Sequence, residues 1–303
     1  MHRLAAFGLT ASNAGQLARF YVEAFGAYLI AMEHLSDASF MRLMGNNSAA
    51  TQVTLSLGGS IIELLAFDQP GKPYPKRASA SDPIFQHFAI VVTDMDGAYQ
   101  RLLDTPGWTP ISQCGPERLP ASSGGVTAFK FRDPDGHPLE LLAFPDTSKT
   151  AWKSAGSGLF LGIDHSAITV SDCQRSIAFY HDLGFRMLYH TLNRGPRQQR
   201  LDGLEATQVE VTALAVSEQP PHLELLHYPS SRPGKAISRS NDVAATRLIF
   251  EASNLFSDEG RAIEQKSIMD PDGHHLILTT PTAFKRLYGA PAKANSNVLV
   301  QLE

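Results

Sequence analysis

Four times along the chain, a short apolar run that reads as a β-strand ends on a small polar residue and gives way to apolar positions at helical spacing. The runs are Leu4 to Ser12, His87 to Thr93, Asp164 to Ser171 and Arg247 to Ser253; Asn13, Asp94, Asp172 and Asn254 follow them. Asn and Asp at such a junction accept the unpaired N–H groups of a first helical turn, so each is expected to cap a helix. Leu17, Phe20, Tyr21 and Phe25 recur at helical spacing after the first cap, as do Ile177, Tyr180 and Leu183 after the third. Each unit therefore reads as a strand and a helix followed by two or three more strands.

Two further motifs repeat. Asp133-Pro134-Asp135-Gly136-His137 returns as Asp270-Pro271-Asp272-Gly273-His274. Asp, Pro and Gly in that order suit a turn between strands, and apolar strands follow at Pro138 to Leu142 and His275 to Leu278. The run Ile62 to Phe67 pairs with Leu223 to Tyr228, each ahead of a Pro-Gly-Lys, at Pro70 and at Pro233. The interval from cap to last strand is similar in three units, Asn13 to Glu63, Asp94 to Glu140 and Asp172 to Glu224. It is about half as long in the fourth, Asn254 to Ile277, which is expected to be a truncated copy. Pro/Gly/Ser-rich connectors at about 68–83 and 145–158 separate the units.

The 303 residues suit one large domain or two of about 150, and 43% hydrophobic with 18% charged residues excludes intrinsic disorder. A net charge of -4, with basic residues scattered along the chain, gives no footprint for nucleic acid. No apolar run approaches the roughly 18 residues that span a bilayer. The N-terminal stretch Leu4 to Ala11 reads as the first strand rather than as a signal peptide. Cys114 and Cys173 are too few for a disulfide framework and lie in no C-x-x-C pattern, which fits a cytoplasmic setting.

The chemistry concentrates at two positions of each unit, one on the opening strand seven residues before the cap and one on the last strand. They hold Ala6 and Glu63, His87 and Glu140, His165 and Glu224, and Arg247 and Ile277. Only the second and third units pair His with Glu. An ionised carboxylate within an apolar strand is costly unless it is paired, coordinated or solvated. The alternation of Leu139-Glu140-Leu141 sends Glu140 to the face opposite the leucines, toward the concave side if those leucines pack on the helix.

This pattern resembles the vicinal oxygen chelate superfamily, which includes glyoxalase I, fosfomycin and bleomycin resistance proteins, methylmalonyl-CoA epimerase and extradiol dioxygenases. The resemblance covers roughly residues 4–280. It implies an α+β fold of tandem βαβββ modules, paired into cup-shaped, mostly antiparallel sheets with helices outside. Two glyoxalase-like domains follow: 1–150, with modules at about 4–67 and 84–145, and 151–303, with modules at about 160–229 and 243–280, the last degenerate. Carried over, the metal ligands are His87, Glu140, His165 and Glu224, a set like that of bacterial-type glyoxalase I. Ala6, Arg247 and Ile277 depart from the pattern and leave no second metal site.

Pairing the second unit with the third, and the first with the fourth, would gather all four ligands in one cup and set Arg247 against Glu63 as its counter-charge. Pairing consecutive units would leave both cups incomplete. The resemblance implies a metal-dependent isomerase or lyase acting on a small oxygenated substrate through a Lewis-acid metal and an enolate-type intermediate, with Glu140 or Glu224 as general base. The metal would be Zn, Ni, Mn, Co or Fe. A non-haem Fe(II) extradiol dioxygenase and a metal-free binding or resistance protein are the alternatives. A small molecule is the expected partner, with neither nucleic acid nor membrane, in a monomer or homodimer. His137, His274 and His275, beside the turns, are expected to be solvated, and Arg194, Arg197 and Arg200 to lie in a solvated loop.

Overall fold

The fold is described from a computed structural model, in residues 1–84, 86–154, 156, 158–205, 208–229 and 238–289. The second Pro-Gly-Lys, at Pro233, lies outside them. The first unit comprises β1 (Arg3–Thr10), α1 (Ala14–Phe25), β2 (Tyr28–Leu35), α2 (Ala38–Met44), β3 (Ala50–Leu57) and β4 (Ser60–Phe67). The second has β5 (Gln86–Val92), α3 (Met95–Leu103), the short strands β6 (Thr109–Pro110) and β7 (Glu117–Arg118), then β8 (Thr127–Arg132) and β9 (Pro138–Ala143). The third has β10 (Phe160–Thr169), α4 (Cys173–Asp182), β11 (Arg186–Arg194), α5 (Pro196–Asp202), β12 (Gln208–Ala215) and β13 (His222–His227). The fourth keeps β14 (Arg247–Glu251), β15 (Gln265–Met269) and β16 (His275–Thr279) and ends in α6 (Pro281–Tyr288).

Three of the four expected caps hold their helices. The side chains of Asn13, Asp94 and Asp172 accept from the backbone N–H groups of Gln16, Asp96 and Arg175. Asn254 caps nothing: it takes a positive φ of 59° and no helix follows it. The short fourth unit leaves no chain for one. Three helices are not evident from the strand pattern: α2 and α5, each inserted after the second strand of its unit, and α6 after the last strand of the fourth. Arg194 ends β11, whereas Arg197 and Arg200 lie on α5, so the expected solvated loop is a strand end and a helix. Arg200 donates to both carboxylate oxygens of Glu117 (2.5 and 2.9 Å) and Arg197 to the Arg118 carbonyl (2.7 Å), which ties α5 of the third unit to β7 of the second.

The strands form two sheets, and each takes one unit from either half of the chain. One sheet, in the order β15-β16-β14-β1-β4-β3-β2, combines the first and fourth units. The other combines the second and third, in the order β11-β12-β13-β10-β5-β9-β8-β6, with β7 on β8. In both, the two opening strands lie side by side and antiparallel: β1 on β14, and β5 on β10. Leu139 and Leu141 enter the main apolar core with α1, α3 and α4, which sends Glu140 to the opposite face.

The repeated Asp-Pro-Asp-Gly-His turns clamp one sheet to the other. Asp133 accepts from the Tyr21 hydroxyl of α1 (3.1 Å) and Asp135 from the Ser12 backbone N–H (2.8 Å). The copy repeats this: Asp270 accepts from Tyr180 (3.2 Å) and Asp272 from the Ser171 N–H (3.2 Å). The expected solvation of His137, His274 and His275 is therefore wrong: all three are buried. Their rings face backbone carbonyls of another unit or loop, His274 at Thr169 (2.9 Å) and His275 at Ser238 (3.1 Å).

His137 faces acceptors at both ring nitrogens, Asp133 at Nδ1 (2.8 Å) and the carbonyls of Val243 (2.9 Å) and Thr10 (3.1 Å) at Nε2. Only the imidazolium donates at both. Burial alone would lower its pKa, but Asp133 and the carbonyl contacts outweigh that and raise it. A folded pKa above the free value of about 6.5 means that its stabilisation is complete below that value and lost as pH rises through the folded pKa. Urea midpoints should fall between pH 6 and pH 9, and His137→Gln should flatten that fall; an equal fall in the variant would refute the assignment.

Candidate metal centre

Register puts all four candidate residues over one patch of the second sheet. Ala89 on β5 lies between Glu140 of β9 and His165 of β10, while Ala167 on β10 lies between His87 of β5 and Glu224 of β13. Both alanines are fully buried, and their small side chains leave room above the sheet into which the four longer ones converge. His87 Nε2 lies 2.9 Å from Glu140 Oε2; His165 Nε2 lies 3.8 Å from that oxygen and 3.5 Å from Glu224 Oε2. The donor atoms of His87, Glu140 and His165 all fall within 4.8 Å of one another.

Metal–ligand bonds of about 2.0–2.2 Å set neighbouring donors about 3–3.5 Å apart, so this set fits a divalent ion with small side-chain adjustments. The environment of His165 supports the fit. Its Nδ1 faces Asp164 Oδ2 (3.1 Å), and the other oxygen of that carboxylate accepts from Trp152 Nε1 (2.7 Å). A carboxylate on Nδ1 fixes the tautomer and turns Nε2 toward the metal position, as outer partners of ligand histidines do.

The two carboxylates are held ionised by the groups around them. Burial alone would raise the Glu140 carboxyl, yet Lys130 and the two imidazoles hold it well below the usual range. Burial likewise opposes ionisation of Glu224, but His165, His222 and Tyr189 bring it to about 2. Burial would lower His165, and Glu224, Asp164 and Glu140 together raise it well above the ordinary histidine value. His87 goes the other way: burial lowers it, against the pull of Glu140.

Four residues of the site are not identified by the strand pattern. Asp164 reaches the cavity because β10 bulges: the register steps from Ile163 to His165 and leaves Asp164 unpaired, so two consecutive side chains face the same way. His222 pairs with His165 in register and lies 3.6 Å from Glu224 Oε1. Tyr189 of β11 donates to Glu224 Oε1 at 2.5 Å. Lys130, opposite Glu140 on β8, is buried and pairs with Asp202 of α5 at 2.7 Å. The cavity over these groups measures about 360 Å³.

The corresponding face of the first sheet is filled by described side chains. At the positions of Asp164 and His165 it carries Ala5 and Ala6, and Phe40 and Met44 of α2 with Phe284 and Tyr288 of α6 fill the space. Glu63 accepts from Gln52 (2.6 Å) and from the Tyr288 hydroxyl (2.7 Å). Arg247 donates to Thr10 Oγ1 (3.0 Å) and the Ser240 carbonyl (3.2 Å). Burial raises the Glu63 carboxyl, and the charge of Arg247 opposes that rise. Both lean on Gly8, where an added methyl would meet Arg247 Nε at 3.1 Å and Glu63 Oε1 at 3.5 Å.

Two sheets built from three βαβββ-type units and a truncated fourth, with His and Glu on the opening and closing strands of one sheet, define a tandem α+β protein with an open cup on that sheet. The model of the Glyoxalase/Bleomycin resistance protein/Dioxygenase superfamily matches residues 3–141 and 162–284, and the chain belongs to that superfamily. Its fold is similar to that of glyoxalase I from Zea mays, with a TM-score of 0.60 at 16% identity over 96% of this chain and 97% of that one. A mutant form of the maize protein gives 0.62 at 17% identity over 94% and 95%. A candidate dioxygenase of Bacillus subtilis gives 0.54 at 12% identity over 100% and 94%. No curated protein sequence matches the chain. Among the described residues, no helix is long and apolar enough to cross a membrane.

Proposed function

We propose that the chain is a glyoxalase-like, metal-dependent isomerase or lyase acting on a small substrate with adjacent oxygens, its divalent ion held by His87, Glu140, His165 and Glu224. The observation that carries this reading is the convergence of two imidazoles and two carboxylates over Ala89 and Ala167 at the floor of a cavity. A divalent ion there supplies Lewis acidity to the substrate oxygens.

The proton chemistry falls to Glu224 rather than Glu140. Glu140 is bound up with His87 at 2.9 Å, whereas Glu224 is outside the tight group of three and is held from the far side by Tyr189. As a carboxylate it takes the proton from a carbon beside the substrate oxygens and returns it to the neighbouring carbon. Tyr189 keeps Oε1 occupied, and Oε2 lies 3.5 Å from His165 Nε2.

That same grouping favours a second reading. Two histidines and one carboxylate, with Glu224 held back, match the ligand set of non-haem Fe(II) oxygenases, which leave positions open for substrate and dioxygen. Metal analysis of protein purified without chelator, with oxygen uptake measured on catechols, separates the readings. About one divalent ion per chain without oxygen uptake is the expected result. Bound iron with oxygen consumption would move the assignment to the dioxygenase. No bound metal, and none taken up from added Zn, Ni or Fe, would overturn both and leave a metal-free binding protein.

A further inference from the structure

The cavity is lined by charged groups and by apolar ones, with Ser123, Thr191, Asn193 and Gln198 as further polar groups. The metal-site residues, Asp164, Tyr189 and Lys130 gather at its floor, and Leu119, Val126, Leu142, Phe144, Val211 and Leu226 make its walls. Leu201 and Gln198 of α5 close it from the third unit, and on the other side Ser123 donates to Asn193 at 2.8 Å. A volume of about 360 Å³ is at the small end of the range for ligand sites.

The charge of the lining decides what such a space can take. Among the described residues that line it, Glu140, Glu224 and Asp164 are acidic and Lys130 is the one Lys or Arg. Lys130 is already neutralised by Asp202, whose other carboxylate oxygen accepts from Gln198 (2.8 Å) and Tyr228 (3.2 Å). The nearby arginines of α5 are committed as well, Arg200 to Glu117 and Arg197 to the Arg118 carbonyl. An anionic ligand entering would bury carboxylates beside carboxylates, with no unpaired Lys or Arg among the described lining residues to receive them.

We infer that the substrate is an uncharged, largely apolar small molecule with its two adjacent oxygens at one end, bound directly rather than as a glutathione conjugate. This rests on the metal-site reading for the role of the two oxygens, whereas the selection against anions rests on the carboxylates of the described lining and on Lys130 being paired with Asp202. The oxygens reach the floor, the apolar body lies against the leucines and valines of both units, and the described lining offers a carboxylated tripeptide no unpaired Lys or Arg.

Two probes test it by calorimetry on the full chain, with zinc and without: 4-tert-butylcatechol, which is neutral, apolar and carries adjacent oxygens, and S-hexylglutathione, which is apolar at one end and anionic at the other. Metal content is measured on the same samples. The zinc-loaded protein should bind the catechol at least about tenfold more tightly than the glutathione derivative, a difference of about 1.4 kcal/mol. Val126 is half-buried in the wall, so Val126→Arg tolerates folding and supplies the missing cation; it should narrow the gap by strengthening S-hexylglutathione. Equal or tighter binding of S-hexylglutathione to the unaltered chain, or no binding of either probe, overturns the inference whatever the metal content. If zinc does not bind but the preference for the catechol persists, the metal reading fails and the inference about the lining stands.

Discussion

Replacing His165 with alanine should lower the affinity for a divalent ion by more than about 100-fold, beyond the 10–100-fold range usual for outer partners. His165 is the hub of the site: its Nε2 lies within 3.8 Å of Glu140 and 3.5 Å of Glu224, and its Nδ1 is held by Asp164. His87→Ala should act similarly, because it removes the other imidazole of the tight group of three. Asp164→Asn should be milder, about 10–100-fold, since it disturbs the orientation of His165 without removing a ligand. Because the ion replaces a proton on the imidazole, affinity should also rise with pH in the unaltered protein. Competition titrations against a chelator measure all of these. Unchanged affinity in both alanine variants would remove His87 and His165 from the site.

The second large effect is expected on stability. Lys130 and Asp202 are 5% and 2% exposed and join β8 of the second unit to α5 of the third. Asp202→Ala strands the Lys130 ammonium in a buried site and removes the acceptor of Gln198 and Tyr228. Breaking a buried pair from one side costs about 3–5 kcal/mol. Replacing both partners, as Lys130→Met with Asp202→Leu, should recover most of that loss, because neither charge is then left alone. Denaturant unfolding of the unaltered chain, the single variant and the double variant decides it: a near-neutral Asp202→Ala would show that the pair does not hold α5 in place. After Asp202, its cross-strand neighbour Glu140 exerts the largest pull on the Lys130 ammonium. The single variant should therefore also weaken metal binding, as the freed ammonium turns toward a ligand carboxylate.

Much of the site is legible in the sequence because it depends on local periodicity. The strand period puts Leu139 and Leu141 on one face and Glu140 on the other, and the caps at Asn13, Asp94 and Asp172 are decided within a few residues. The failures have equally local causes. Alternation would turn Asp164 away from His165, and one bulged residue in β10 reverses that. The two turn histidines, His137 and His274, together with the neighbouring His275, read as solvated because the turn sequence describes only its own strands, whereas the carbonyls that receive them come from Thr10, Val243, Thr169 and Ser238. Asn254 has the chemistry of a cap, but the chain after it is too short for the helix.

The sequence by itself determined the repeating units, the truncation of the fourth and the positions of the two His and Glu pairs, because each follows from spacing along one strand or one helix. Which units share a sheet was open to two pairings in the sequence and was decided by the antiparallel joining of β5 to β10 and of β1 to β14. Strand pairing is a long-range choice among similar edges, and it depends on how whole apolar faces fit together. Only that choice sets Ala89 and Ala167 beneath one cluster, brings Tyr189, His222 and Lys130 to it, and fills the other cup with α2 and α6.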